Sequence, residues 1–230
     1  MSKIKNNKIT LLTYISLTLV FAVTLCFLAY RLLFSADKLD SARRTELILM
    51  ILQCLLGILA LQIPSLLEKI WGFDFSSLYI LLYHAFLFCA IFLGEIQRYY
   101  SKFMLWDDIL HLSSGIMTGI FGYMLLSVIS RKSRHGQGLL SSPVTVILFA
   151  FCFAAALGML WEIYEFLLDH FFDLNMQKYR LDDGFQLLGH AALTDTMKDI
   201  IIDAVGSLIG ALTGIAGFRR KPENTMSIKD

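Results

Sequence analysis

Charge is what this sequence has least of. Only 17% of its residues are Asp, Glu, Lys or Arg, against roughly 25% in ordinary soluble domains, while 57% are hydrophobic. A water-soluble fold of 230 residues cannot hide that much apolar surface. An excess of either sign is also missing. Twenty basic and nineteen acidic residues leave +1, which gives no electrostatic footprint for nucleic acid and sets that class aside. The four cysteines, Cys26, Cys54, Cys89 and Cys152, each lie inside an apolar run with no CxxC spacing. They form no disulfide framework and read as small packing or lipid-facing residues. No GxSxG or HExxH motif defines a reaction, and there is no internal repeat, low-complexity segment or soluble domain.

What is there is long apolar runs. A bilayer core of about 30 Å needs roughly 20 apolar residues at about 1.5 Å rise each. Five charge-free intervals meet that length, and the sixth, Ala204 to Phe218, holds only fifteen uncharged residues. A full sixth span must therefore reach back through Asp203 towards Asp199, which puts at least one carboxylate at membrane depth. The expectation is an all-α, polytopic transmembrane helix bundle forming one integral membrane domain, with spans at about 9–30, 47–67, 75–94, 109–130, 144–168 and 197–218. The N-terminal Lys3, Lys5 and Lys8 before an apolar stretch look like a signal peptide, but that stretch is too long and lacks a small-residue cleavage site.

Basic residues in short loops set the orientation. The N-terminus, the Arg131, Lys132 and Arg134 segment, and the Arg219, Arg220 and Lys221 tail are all cytoplasmic if six spans leave both termini inside a cell membrane. The first loop goes against this scheme, with Arg31, Lys38, Arg43 and Arg44 on the far side.

The informative pattern is in the last three spans. In span four, Asp108 and His111 continue into Gly115, Gly119 and Gly122 on one helical stripe. Span six carries Asp195, Asp199 and Asp203 at four-residue steps, continuing into Gly206, Gly210 and Gly214. In span five, Glu162 and Glu165 follow Gly158, with Ala154 and Ala155 a turn back. Small-residue faces mark helix contacts in membranes, so the stripes are expected to bring Asp108, His111, Glu162, Glu165, Asp199 and Asp203 to one pocket at the non-cytoplasmic ends of these spans. The loop with Asp182, Asp183, Gln186 and His190 hangs over the same end.

Ordinary explanations stand beside this one. Asp107 and Asp108 serve as a cap and dipole partner for span four, and Thr196 with Asp199 has the spacing of a capping box. Glu162 and Glu165 resist such readings, because the C-terminal end of a helix is unfavourable for acids. An unpartnered charge there costs about 2 to 4 kcal/mol. His84, mid-span beside Tyr83, reads as a hydrogen-bonded packing residue. Trp71, Trp106 and Trp161 read as interfacial belt residues, and Lys178 and Arg180 as contacts for lipid headgroups or substrate.

Three segments in order carry a resemblance: Trp106-Asp107-Asp108-Ile109-Leu110-His111, then Trp161-Glu162-Ile163-Tyr164-Glu165, then Asp195-Thr196-Met197-Lys198-Asp199 with Asp203 and Gly206. Over roughly the C-terminal 130 residues the chain resembles the YjdF-like bacterial inner-membrane proteins. More distantly, the Asp-x-x-x-His start, Glu-bearing helix and final Asp/Gly helix are similar to VanZ-like proteins. There the second motif tends to be a Glu and Gln pair instead of Glu162 and Glu165. Neither resemblance brings a reaction.

Three functions stay open on the residues. One is an outer-leaflet enzyme on a lipid or lipid-linked substrate, in which His111, Glu162, Glu165 and Asp203 hold a divalent metal or act as acid and base. Another is a proton- or cation-coupled transporter, although no inverted repeat is present and Pro64 is the only proline well inside a span. The third is a non-catalytic structural or sensor protein, in which the acids only lock helices together.

Overall fold

The helices start where the sequence offers caps. Asp40, Ser76 and Ser142 each accept a hydrogen bond from the backbone amide three residues on, satisfying a donor that the first helical turn leaves unpaired. The computed structural model describes residues 7–34, 40–133, 140, 142–181 and 183–219. Among these the elements are α1 (Lys8–Phe34), α2 (Ser41–Ala60), α3 (Ile63–Trp71), α4 (Ser77–Leu87), a π-helical continuation π1 (Phe88–Ile96), α5 (Tyr99–Lys102), α6 (Trp106–Lys132), α7 (Pro143–Phe172) and α8 (His190–Arg219). No strand occurs among the described residues beyond one isolated bridge. Six helical stretches are long and apolar enough to cross a membrane: Lys8–Phe34, Arg43–Trp71, Ser77–Ile96, Trp106–Lys132, Pro143–Phe172 and His190–Ala216. The all-α expectation with six spans holds. Of the residues singled out above, Lys3, Lys5, Lys38, Arg134, Asp182, Arg220 and Lys221 lie outside those described.

The chain divides into two compact units, 1–110 and 111–230. In the first, the second span breaks where Pro64 removes a backbone donor and its ring excludes the carbonyl four residues back. That carbonyl, of Ala60, accepts instead from the Tyr83 hydroxyl at 2.9 Å, so the acceptor freed by the proline is met. Phe21 fits against Gly57, where an added Cβ would lie 3.1 Å from the Phe21 ring and 2.8 Å from Ile91. Leu17, Phe21, Leu61 and Leu87 form one core cluster and Leu28, Leu47 and Cys54 another. His84 is buried, with Nδ1 2.8 Å from the Thr13 hydroxyl, as the packing reading expects.

The second unit is built on glycine. A Cβ on Gly115 would stand 2.7 Å from the carbonyl oxygen of Asp203, and one on Gly119 would stand 2.6 Å from that of Ser207. From the opposite side, a Cβ on Gly206 would meet the Leu112 carbonyl at 2.6 Å. Backbone therefore touches backbone along α6 and α8, as expected when small residues carry a membrane contact. Gly122 approaches the Ala150 backbone of α7 in the same way, at 2.9 Å. The ridges expected from sequence are the contact surfaces of this unit.

Candidate functional site

Close approach of α8 to α6 and α7 puts carboxylates where water does not reach. Asp203, the middle residue of the His190–Ala216 span, is 3% exposed. A charge at such a position costs about 3 kcal/mol on insertion scales, so it needs partners. It has two on α6: His111 Nδ1 lies 3.1 Å from Oδ2, and the Ser114 hydroxyl lies 3.2 Å from Oδ1 and 2.9 Å from the His111 carbonyl. Room for the carboxyl comes from α7, because a Cβ on Gly158 would fall 2.5 Å from Asp203 Oδ2. Gly158 is a socket for this acid.

Glu162, one turn beyond Gly158, is 4% exposed, and neither of its carboxylate oxygens makes a hydrogen bond of strict geometry among the described residues. Gln177 and Thr196 are its hydrogen-bonding neighbours at looser than strict geometry, and His111 and Asp203 act on it through charge. Asp199 is 1% exposed, and one of its carboxylate oxygens lies within 4.8 Å of a His111 ring nitrogen. Glu165 is buried too, with Oε1 accepting from Trp161 Nε1 at 2.9 Å. Within this unit, then, His111, Asp199 and Asp203 come together and Glu162 stands beside them, while Glu165 is tied to the indole of its own helix.

Asp108 stands differently from the expectation. It is only half-buried, whereas Asp107 is nearly buried and sits one full turn before His111. The i, i+4 relation shares a helix face more closely than i, i+3, so Asp107 is the acid on the histidine's side of α6.

Glu162 also meets a cleft. About 700 Å³ of space lies between α7, the following loop and α8, with Glu162, Gln177 and Thr196 among its polar lining and Ile163, Phe166 and Leu193 among its apolar lining. Of the buried cluster, Glu162 is the member that lines it. The loop is held by Asp169, whose two oxygens accept from the backbone amides of Met176 at 2.7 Å and Gln177 at 2.9 Å. Gln177 in turn donates to the Thr196 hydroxyl at 2.8 Å. Asp169→Ala removes both amide acceptors, a local loss of about 1 to 3 kcal/mol. Hydrogen exchange is expected to speed up at the Met176 and Gln177 amides while the α6–α8 contact stays protected; unchanged exchange at these two amides defeats this account of the loop.

Two sequence expectations change here. Thr196 and Asp199 do not cap span six, because α8 begins six residues earlier at His190, and Thr196 Oγ1 accepts from Gln177 instead. The C-terminal dipole does not oppose Glu162, since α7 runs ten residues further to Phe172 and the dipole acts only over the last turn. What makes Glu162 costly is its burial. Lys178 and Arg180 are engaged by the protein: Lys178 Nζ lies 3.1 Å from Asp195, and Arg180 pairs with Asp173 at 3.0 Å and donates to the Asp173 and Leu174 carbonyls. Ser114, Asp169 and Gln177 are the site residues that sequence reasoning missed. Ser114 alone gave a signal, its position one turn after His111.

The model of one protein family matches residues 10–220 of the chain. The chain belongs to that family, described as a predicted membrane protein (DUF2238). The YjdF-like resemblance falls within this family, whereas a VanZ-like relationship is not shown by these matches. A Thermotoga maritima relative described as "Uncharacterized protein" is 30% identical over 144 residues, 62% of this chain. The chain covers 65% of that relative's length. No solved structure matches.

Proposed function

We propose that Glu162 is the proton-exchanging group of an enzyme site that takes a lipid or lipid-linked substrate into the cleft between α7, its following loop and α8. The observation that carries this reading is the Glu162 carboxylate, buried, with no hydrogen bond of strict geometry among the described residues, and lining the cleft. An acid kept only to lock helices together would be satisfied by its neighbours, as Asp203 is by His111 and Ser114. Apolar walls beside polar groups suit an amphiphile. In the six-span scheme the cleft opens to the non-cytoplasmic leaflet of the cell membrane.

The chemistry divides among these side chains. Asp203 accepts from His111 Nδ1 and so fixes the tautomer in which Nε2 is the basic nitrogen. Glu162 takes a proton from a substrate hydroxyl or water in the cleft, and His111 is the neighbouring group that can share it. The same donors suit a divalent cation: an imidazole nitrogen and an Asp199 oxygen within 4.8 Å, with the buried Glu162 carboxylate beside them. Such an ion, when bound, would supply Lewis acidity and a lowered water pKa. In this reading Asp203 orients His111, and Glu165 belongs to Trp161.

The test is to incubate detergent-purified protein with a bacterial total-lipid extract and follow the lipids by mass spectrometry, with metal content measured on the same samples. Wild type is expected to convert at least one lipid species and Glu162→Gln to convert none. A stoichiometric metal lost in both Glu162→Gln and Asp203→Asn assigns the ion to this site. Identical lipid profiles for wild type and Glu162→Gln sink the enzyme reading.

A further inference from the structure

The first unit contains a charged pocket that the acidic site does not explain. About 220 Å³ of space lies where α1 ends, α2 begins and π1 ends, and three arginines line it: Arg31 from α1, Arg43 from α2 and Arg98 just after π1. Glu46 also lines it and pairs with Arg98, so among the described lining residues three positive charges face one negative. Below the arginines are the buried Leu28 and Leu47. Asp40, which caps α2, accepts from the Arg43 backbone amide at 2.7 Å.

Two independent features say that these arginines are placed and not scattered. Arg98 has φ 60° and ψ 39°, a left-handed conformation that costs a non-glycine residue about 1 to 2 kcal/mol and persists where the surroundings impose it. Arg31 and Arg43 are also two of the four basic residues that put the first loop at odds with the positive-inside rule in the six-span scheme. Basic residues kept on the disfavoured side need another reason to be there.

We propose that Arg31, Arg43 and Arg98 form a binding site for the phosphate of an anionic phospholipid headgroup. Guanidinium groups present fork-shaped donors that match phosphate oxygens, and basic pockets between spanning helices recognise anionic headgroups in this way. The position at the helix ends puts the arginines at headgroup level, and the leucines beneath them meet the start of the acyl chains. The Glu46 partner holds Arg98 in place and leaves a positive surplus for a ligand of charge −1 or −2.

Binding is measured on the detergent-purified full chain with dihexanoyl phosphatidic acid, dihexanoyl phosphatidylcholine and inorganic phosphate. Phosphatidic acid is expected to bind about tenfold or more tighter than phosphatidylcholine, and an Arg31→Gln/Arg43→Gln double variant to lose about tenfold or more of that affinity. Lys69→Gln, a basic residue on α3 that does not line the pocket, keeps wild-type affinity. Arg31→Lys/Arg43→Lys, which keeps the charge, retains more affinity than the Gln pair at the same thermal midpoint, separating a ligand effect from misfolding. Equal binding of the two lipids, or undiminished binding by the Gln double variant, overturns the proposal. Inorganic phosphate that displaces phosphatidic acid at equal concentration makes the ligand a free phosphoryl anion and overturns the lipid assignment.

Discussion

Gly206→Val should be among the most damaging single substitutions in the second unit, alongside Gly210→Val, whose new Cβ would meet the Ile116 carbonyl oxygen more closely still, lowering stability by about 3 kcal/mol and reducing the yield of monodisperse protein. The figure is the upper end of the usual cost of overpacking. The upper end applies because the first atom a new Cβ meets is a backbone carbonyl, that of Leu112 at 2.6 Å, and no rotamer change relieves that clash. The same argument ranks the neighbours. Gly115 and Gly119 also oppose backbone, at 2.7 and 2.6 Å, whereas Gly214 faces the side chain of Tyr123 at 2.9 Å. Gly214→Ala should therefore cost less than Gly206→Ala. Val205, on the same helix but 51% exposed, serves as the control, and Val205→Leu should stay within about 0.5 kcal/mol of wild type. Thermal unfolding in detergent reads the series. Equal midpoints for Gly206→Val and Val205→Leu contradict backbone contact between α6 and α8.

Asp203→Ala and Glu162→Gln should move stability in opposite directions although both acids are buried. Asp203 accepts from His111 and Ser114, so removing it takes away the buried carboxylate that both of them face and costs about 3 to 5 kcal/mol. Glu162 makes no hydrogen bond of strict geometry for a substitution to break, and an amide can keep the looser contacts with Gln177 and Thr196. Replacing its carboxylate by a neutral amide removes a burial penalty and should leave the thermal midpoint unchanged or raise stability by about 1 to 2 kcal/mol. A residue that weakens the fold by being present is kept for something other than the fold, which is why this comparison discriminates. Should Glu162→Gln destabilise the protein as strongly as Asp203→Ala, Glu162 is a tie between helices and the proposed proton chemistry is lost.

Much of this was legible in the sequence because lipid restricts the menu. Runs of apolar residues give helices almost by themselves when every backbone group must be satisfied internally, and the GxxxG ladder of α8 named its own contact face. The four-residue steps from Asp195 to Asp203 placed the acids on that face for the same reason. Legibility stopped where a partner is far away in sequence or a boundary depends on it. Span six begins at His190 and not 197, because the loop ahead of it is ordered by Asp169 and Gln177, whose bonds run to backbone amides and to Thr196. No periodicity announces such bonds. The π-helical turn at Phe88–Ile96 and the Tyr83 hydroxyl answering Ala60 were hidden for the same reason. Asp107 and Asp108 show the finest limit: adjacent residues on one turn, told apart only by which of them faces inward.

The carboxylate at the centre of the last span has a consequence for how the protein is made. A segment with Asp195, Asp199 and Asp203 on one side is a poor candidate to enter a bilayer alone, since its middle acid finds nothing to bond to among acyl chains. The imidazole and hydroxyl that receive it belong to a helix synthesised about ninety residues earlier. Membrane entry of the final helix is thus coupled to a partner already waiting there, and assembly follows the order of translation.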